Sequence, residues 1–342
     1  MSMNNYLSID LVICTYNNAA PLDRVLTAIA KQQVSPQVNW KVLVVDNNCT
    51  DETEAVVEKH IQSNKIPDLR RVLEPKQGLT YARLCGVENT KGDWIAFVDD
   101  DCLLQEDWVE QAAKFALVHP ECGAFGGKVI LDWETPPPAF VLKFGYSFAA
   151  QEHGIKPKPV SCLVGAGIVV RRSALSGIGW MNQQFMSDRV GKKLISGGDV
   201  ELALRLASKY ELWYTPDCKL MHIIPSRRTS KKYLMNINYG LGISQLYGDS
   251  MLWSGSYTAW FFVSIFDTIR PSIDVLVNTL KVLVRRRSAP EVAITLSFVL
   301  GRWVGIWRMF WMNVEERRAL LGCAKVARES NSPQQQIEQV LR

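Results

Sequence analysis

The sequence predicts an α/β fold, in which a mixed but mainly parallel sheet is flanked by helices and followed by a C-terminal helical extension that associates with a membrane. From residue 7 to about residue 130, apolar runs alternate with stretches of helical periodicity, which is typical of parallel strands joined by helices. Three of these strands end in small polar residues. The basic and tryptophan-rich character of residues 251–342 predicts the extension.

The apolar pattern gives the order of the elements in the first part of the chain. Short runs of Val, Ile and Leu predict strands, and apolar residues that recur every three or four positions predict helices. The acids that follow Thr50 suit the positive N-terminal end of a helix. The predicted elements are the strand Leu7–Cys14, a helix with Leu22, Val25, Leu26 and Ile29, the strand Val42–Val45, a helix from Thr50, the strand Arg71–Leu73, a helix over residues 79–89 and the strand Trp94–Val98.

The composition is that of a globular protein from a reducing compartment. Of the 342 residues, 47% are hydrophobic, which allows one large or two modest domains with a substantial core. The eight Cys include no CxxC pair and no Cys/His array at zinc spacing, so we expect buried, reduced thiols. The N-terminal stretch lacks the basic region of a signal sequence, which predicts a cytoplasmic protein.

Three adjacent acids, Asp99, Asp100 and Asp101, follow directly after the apolar strand Trp94–Val98. Carboxylates this close repel one another, and a divalent cation would compensate their charge. Oxygen ligands are those that Mg²⁺ and Mn²⁺ prefer. The sequence therefore predicts a metal site here, with a solvated acidic turn as the alternative.

The residues that follow three successive strands predict one shared pocket. They are Thr15-Tyr16-Asn17, Asp46-Asn47-Asn48 and the acid cluster. Ligands of such sheets bind at the carboxyl ends of the strands, so we expect a nucleotide-sized site at this edge. For Asp46-Asn47-Asn48, a simple turn is the alternative.

Residues further along predict the other side of the site. A strand is expected at Leu163–Val170, where Gly165 and Gly167 would let a ligand approach the backbone, or mark a bulge. Gly198 and Asp199 precede a helix with an apolar face. A carboxylate at a helix N-terminus stays ionised, which fits a general base and also fits an N-cap.

The C-terminal part of the chain is basic and aromatic. Residues 251–342 contain 12 Lys and Arg against 7 Asp and Glu, whereas the earlier part is balanced at 27 of each, and five of the eleven Trp lie here. The uncharged runs 250–266 and 292–301 are shorter than the roughly 20 residues of a spanning helix. We therefore expect amphipathic helices over residues 251–312 on the inner leaflet of the cytoplasmic membrane, with packing into the core or a homodimer face as alternatives. No nucleic-acid-binding module is present in the sequence.

Several motifs together resemble the family 2 glycosyltransferases, the inverting class with the GT-A fold, over about residues 7–225. The resemblance lies in the first-strand motif ending Thr15-Tyr16-Asn17, the second-strand Asp46, the segment from Gln77 to Arg83, the DxD-like Asp99-Asp100-Asp101 and the segment Gly197-Gly198-Asp199. It implies that Thr15, Tyr16, Asn17, Asp46, Arg83, Asp99 and Asp100 bind a nucleotide-sugar donor.

The resemblance also implies a metal and a base. Asp101 would ligate Mn²⁺ or Mg²⁺, with Asp99 and His222 completing the site. Asp199 would deprotonate the acceptor hydroxyl of a glycan or a polyprenyl-linked glycan. Gly165, Gly167 and Gly198 would lie on the acceptor side, and Gly198 stands where the family usually has Glu.

The predicted organisation is a nucleotide-sugar-binding half over residues 1–125, an acceptor-binding half over residues 126–250 and the extension over residues 251–342. Two other functions are compatible with the sequence. Transfer directly to a polyprenyl phosphate needs no strong base, because the phosphate oxygen is already ionised. A membrane-associated scaffold that has lost the chemistry would explain Gly198, whereas the intact acid cluster opposes it.

Overall fold

The computed structural model describes residues 7–186, 197–283 and 288–325. The strands are β1 (Leu7–Thr15), β2 (Val38–Asp46), β3 (Arg70–Leu73), β4 (Trp94–Asp99), β5 (Cys102–Leu104), β6 (Ala124–Gly126), β7 (Val129–Trp133), β8 (Lys158–Val160), β9 (Ile168–Arg171), β10 (Leu212–Tyr214) and β11 (Leu220–Ile224). The α-helices are α1 (Ala19–Ile29), α2 (Thr53–Ser63), α3 (Leu79–Glu88), α4 (Trp108–Val118), α5 (Ala139–Leu142), α6 (Arg172–Gly177), α7 (Gly198–Ala207), α8 (Lys231–Met251), α9 (Tyr257–Leu283), α10 (Ala289–Trp311) and α11 (Val314–Leu320). Gly145–Phe148 and Ser226–Thr229 form 3-10 helices.

The main sheet has the strand order β3-β2-β1-β4-β9-β6-β10-β8. Strands β1 to β4 are parallel, whereas β9 runs antiparallel to both of its neighbours and β8 is antiparallel to β10. This confirms the mixed, mainly parallel α/β fold predicted from the apolar pattern.

Both faces of the sheet are covered. Alternate residues of a strand point to opposite faces, so Leu11 joins the core formed with α1 and α4, while Val12 joins the core formed with α3 and α7. All four apolar residues predicted for the first helix are buried in α1. Because strands from residues 7–125 and from residues 126–250 share this sheet, both predicted halves contribute to one layer. The three-part division remains a prediction.

The register of the parallel strands aligns their polar ends. Thr15 lies opposite Asp46 on β2, and Cys14 lies opposite Asp99 on β4. A smaller sheet with the order β5-β11-β7 begins just after the acid cluster. Its β11 pairs antiparallel to β5 and places His222 opposite Cys102, next to Asp101.

The strand predicted at Leu163–Val170 is wrong in its first half. The strand β9 begins only at Ile168, because Gly167 adopts a φ of +73°, which extended backbone does not allow. The Gly167 N–H still donates to the carbonyl of Phe97, so the turn is anchored to β4. Residues 163–166 are thereby free to form a loop beside the end of the sheet.

The described part of the C-terminal extension is helical, as predicted, with α9, α10 and the short α11. α8 packs against α10, and α9 lies on the outer side of α10. The helix α10 is 23 residues long and is, in the part of the chain that the structure describes, the one helix long and apolar enough to cross a membrane, with 39% of its most apolar window buried in the protein. It continues beyond the uncharged run 292–301, and Arg302 within it is buried against α8, where it contacts Gln245 (2.8 Å) and Asp249 (2.9 Å).

Candidate active site

A cavity of about 440 Å³ lies at the carboxyl ends of β1 and β4, where the sequence predicts the site. It is closed on the far side by the loop before β9, the start of α7 and residues that follow β11. Ten of the predicted site residues line it: Thr15, Tyr16, Asn17, Arg83, Asp99, Asp100, Asp101, Gly165, Asp199 and His222.

The acid cluster carries more negative charge than its surroundings compensate. Burial, reinforced by the neighbouring Asp101, raises the pKa of Asp100 to about 7, although the Asn18 amide donates to its Oδ1 at 2.7 Å. Burial and Asp101 likewise raise the pKa of Asp99. A bound cation would reverse both effects, since it favours the ionised carboxylates.

Asp101 is held between His222 and Arg228. Its Oδ1 lies 3.3 Å from Nε2 of His222, and its Oδ2 accepts a hydrogen bond of 2.8 Å from Nη1 of Arg228. The Nδ1 of His222 lies 2.8 Å from the Phe148 carbonyl, which fixes the ring so that Nε2 faces the carboxylate. Burial lowers the pKa of His222, but the facing Asp101 outweighs it and the net shift is upward.

The donor atoms fit a divalent cation. Asp101, Cys102 and His222 place their ligand atoms within 4.8 Å of one another. Burial raises the pKa of the Cys102 thiol well above its ordinary value, so the carboxylate and the imidazole are the better ligands. A carboxylate oxygen and an imidazole nitrogen together suit Mn²⁺.

Asp199 lies in the first turn of α7 and faces the same cavity. Its Oδ1 forms an ion pair with Nη1 of Arg83, which is 2% exposed and therefore needs a partner. The carboxylate also lies directly against the backbone of Gly165, where a Cβ atom would be only 2.2 Å from Oδ2. The glycine thus gives the carboxylate of Asp199 room, and the expected approach of a ligand to the Gly165 backbone stays a prediction.

The loop after β1 forms the opposite wall. Asn17 has a φ of +49°, and its Oδ1 accepts a hydrogen bond of 2.7 Å from the Thr50 N–H. This conformation presents Tyr16 to solvent with 41% of its surface exposed. An exposed aromatic ring at the mouth of a cavity is available for stacking on a planar ligand.

Asp46, Gly167 and Gly198 are not among the described residues that line the cavity. Asp46 is buried and engaged, since it pairs with Arg71 (2.7 Å) and accepts from the Cys49 N–H (2.8 Å). The space beside Gly167 is filled by Leu220. Their predicted roles in binding donor or acceptor remain predictions.

Two residues of the site did not follow from the sequence pattern. Arg228 belongs to a short 3-10 helix after β11, and no motif in the sequence marks it. Asn47 was predicted only as part of a polar strand end, but its side chain is buried and fixes the loop that ends at Gly78. Its Nδ2 donates to the carbonyls of Glu74 (3.1 Å) and Lys76 (2.8 Å), and its Oδ1 accepts from the Gly78 N–H (2.7 Å).

The sheet, the acid cluster at its edge and the facing carboxylate define the class of protein as a glycosyltransferase. Residues 10–179 match the model of the Glycosyl transferase family 2, and the chain belongs to this family. The recognition made from its motifs is thereby confirmed.

Curated relatives and a solved structure agree with this assignment. Glucosyl-dolichyl phosphate glucuronosyltransferase of Haloferax volcanii is 22% identical over 70% of this chain and 76% of the relative. Glycosyltransferase AglE of the same organism is 25% identical over 70% and 74%. The mannosyltransferase PcManGT from Pyrobaculum calidifontis, solved with GDP-Man and Mn²⁺, aligns over 89% of this chain and 88% of its own with a TM-score of 0.58. At 16% identity, that likeness shows the GT-A fold alone.

Proposed function

We propose that this glycosyltransferase moves a sugar from a nucleotide-sugar donor to a hydroxyl of a glycan or lipid-linked glycan, with inversion at the anomeric carbon. The observation that carries the proposal is that the acid cluster and Asp199 line one cavity, in which Arg83 is paired with the Asp199 carboxylate. The same cavity offers a site for the departing diphosphate and a base for the incoming hydroxyl.

Asp199 is the proposed general base. An acceptor hydroxyl has a pKa far above neutrality, so a carboxylate within hydrogen-bonding reach must take its proton as it attacks. Arg83 orients that carboxylate in the absence of ligands through their ion pair. Attack from the face opposite the diphosphate inverts the anomeric configuration.

The leaving diphosphate needs positive charge on its side of the cavity. Arg228 and Arg227 line that wall, and a Mn²⁺ or Mg²⁺ ion held by Asp101, Asp99 and His222 would stabilise the charge that develops there. The donor loop Thr15-Tyr16-Asn17 and the Asn47-fixed loop would bind the nucleotide, with Asp99 and Asp100 near its ribose.

We also propose that the protein lies on the inner face of the cytoplasmic membrane. One side of α9 exposes apolar residues at helical spacing, and Trp307 and Trp311 extend this exposed side along α10. Such a broad apolar surface marks a membrane or protein interface. The α9 residues are Phe262, Phe266, Ile269, Ile273, Leu276 and Leu280.

Two alternatives remain distinguishable by experiment. One alternative is transfer directly to a polyprenyl phosphate. Such an acceptor needs no base, so an Asp199→Asn variant would keep a near-normal rate. A non-catalytic scaffold, which Gly198 in place of the usual Glu favours, would bind donor without turnover under any acceptor.

The test is release of nucleotide from a panel of UDP-, GDP- and dTDP-sugars by the purified protein, with Mn²⁺ or with chelator. We expect slow, metal-dependent release from one donor, which Asp101→Ala abolishes. With a sugar acceptor, Asp199→Asn is expected to lower the transfer rate by about 10²- to 10⁴-fold. The exposed Asp217→Asn serves as a matched control. Absence of metal-dependent release and of nucleotide binding would overturn the proposal.

A further inference from the structure

A second cavity of about 1050 Å³ adjoins the candidate active site. It is bounded by the β8 and β10 edge of the main sheet, by α7, by α8 and by Phe298 of α10. Its volume lies at the upper end of the range for small-molecule sites. Neither the metal site nor the proposed base requires it.

The two cavities are neighbours. Tyr146, Cys162, Val200 and Leu241 line both of them. Val200 directly follows Asp199 on α7, so the boundary that the cavities share lies beside the proposed base. A ligand with its reactive hydroxyl at that base could extend from the active site into the second cavity.

The lining of the second cavity is apolar on its buried side. Leu204 and Leu212 are buried, and Val160, Leu241 and Phe298 are half-buried. The charged residues among the described lining, namely Glu121, Lys209, Glu211 and Asp249, are all exposed at the surface.

This distribution discriminates between classes of ligand. A glycan would need hydrogen-bonding partners along the buried side, but there the Ser244 hydroxyl already donates to the Gly240 carbonyl and the Gln245 amide oxygen already accepts from Arg302. A second nucleotide would need cations, but Lys209 is the only Lys or Arg among the described lining residues, and it donates to the Gly177 carbonyl at 2.6 Å. A long hydrocarbon chain matches the apolar lining.

We propose that this cavity binds the polyprenyl chain of a lipid-linked acceptor, whose head group then lies at Asp199. The inference rests on the proposed function, because it assigns the acceptor of that same reaction to the lipid-linked class. The α10 helix that bounds the cavity belongs to the C-terminal extension and packs against α9, whose exposed side is apolar, so a membrane bound at α9 would lie on the same part of the molecule as the cavity.

The test is photolabelling of the full chain with farnesyl phosphate that carries a diazirine in its isoprenoid chain, followed by mass spectrometry of the adducts. We expect adducts on the lining residues of α7 and α8. Ala207→Trp and Ser161→Trp, which fill the cavity from two different elements, are expected to lower this labelling by about tenfold or more. Ala55→Trp on α2, at the opposite edge of the sheet, is the matched control and should label like the wild-type protein.

Donor hydrolysis and thermal unfolding of each variant separate the possible failures. Neither Ala207 nor Ser161 lines the active site, so both variants are expected to hydrolyse donor at the wild-type rate and to unfold at a similar temperature. Persistent donor hydrolysis without cavity labelling would overturn this inference and leave the proposed function standing. Cavity labelling by a protein that neither hydrolyses nor binds any donor would overturn the proposed function, and the cavity would then be a lipid site with no part in sugar transfer. Adducts confined to α9, or equal labelling of the cavity by a diazirine fatty acid, would also overturn the polyprenyl assignment.

Discussion

The carboxylate of Asp199 occupies the space beside Gly165 that any other residue would fill with its side chain. A Cβ atom at position 165 would lie 2.2–2.4 Å from the carboxylate atoms, well inside van der Waals contact. The same carboxylate is paired with Arg83. The position of the proposed base is therefore set from two sides, by a cation and by the absence of a side chain.

Gly165→Ala is expected to lower the sugar-transfer rate by about 10²-fold, because the added methyl group must displace the base from its position. In the double variant with Asp199→Asn, the second change should add little, since both act through one carboxylate. Gly145→Ala is the matched control, because its Cβ would meet only Ala150 at an ordinary 3.7 Å. The measurement is the steady-state transfer rate of the wild-type protein, the two single variants, the double variant and the control. If the losses of rate from Gly165→Ala and Asp199→Asn add fully in the double variant, the two residues do not act through one carboxylate.

His222→Gln is expected to raise the Mn²⁺ concentration needed for half-maximal donor hydrolysis by roughly 10- to 100-fold, as loss of a metal-site partner commonly does. The substitution leaves the Arg228 partner of Asp101 in place, so the fold should survive it. Titration of Mn²⁺ into chelator-treated protein measures the effect. His153→Gln, outside the cavity, is the control, and an unchanged Mn²⁺ requirement in His222→Gln would remove that residue from the metal site.

Asn47→Ala is expected to weaken donor binding more than it affects the maximal rate. It leaves the Gly78 N–H without its acceptor and frees the loop from both carbonyl contacts, which costs about 1–3 kcal/mol if the groups stay buried. We expect part of this loss in the free energy of unfolding and a several-fold rise in the donor dissociation constant. The exposed Asn39 on β2 gives the control Asn39→Ala. A loss of stability with unchanged donor affinity would restrict Asn47 to a structural role.

Asp23, which connects α1 to α2, is expected to make the free energy of unfolding depend on pH. Hydrogen bonds from Lys59 (3.0 Å) and His60 (2.8 Å) hold the pKa of this carboxyl below its ordinary value. A lowered pKa in the folded state stabilises the fold above the unfolded pKa of about 3.9, and this stability is lost as the pH falls through the folded value. Asp23→Asn should therefore cost below about 1 kcal/mol at pH 7, since the group is partly exposed.

Urea unfolding at pH 7 and at pH 3 measures the free energy of unfolding of both proteins. The difference between Asp23→Asn and the wild-type protein should be smaller at pH 3 than at pH 7. If the difference is equal at the two pH values, the effect comes from packing of the amide and not from the charge of Asp23.

The sequence predicts those elements of the structure that correspond to short segments with a periodic apolar pattern. The strands β1, β2 and β4 follow from runs of Val, Ile and Leu, and parallel pairing then brings Thr15 and the acid cluster to one edge. By contrast, Arg228 reaches Asp101 across 127 residues and Arg83 reaches Asp199 across 116. Such pairs depend on the packing of α7 and β11 against the sheet, which local patterns do not contain. The resemblance to a family located Arg83 and Asp199 at the site but not their contact.

The error at Leu163–Val170 has a local cause. Its apolar, β-branched residues are typical of a strand, but the left-handed conformation of Gly167 delays the strand until Ile168. The same interruption creates the loop that carries Gly165 to Asp199. Side-chain propensities predict a strand here, but the start of β9 depends on the backbone conformation of a single residue, Gly167.

The exposed side of α9 gives the last prediction, which concerns the membrane. Phe266 and Leu276 are 69% and 63% exposed, so changing both to Asp costs little in the fold but opposes insertion among acyl chains. We expect Phe266→Asp with Leu276→Asp to lower co-sedimentation with anionic phospholipid vesicles by about tenfold or more, with donor hydrolysis in solution unchanged. Leu117→Asp, at a position 61% exposed on α4, is the matched control. A different outcome would contradict this prediction: the wild-type protein does not bind vesicles, and light scattering shows a dimer that the double variant does not form. This side of α9 would then be a homodimer face, because an apolar strip that can insert into a membrane can also pack against a second copy of the helix.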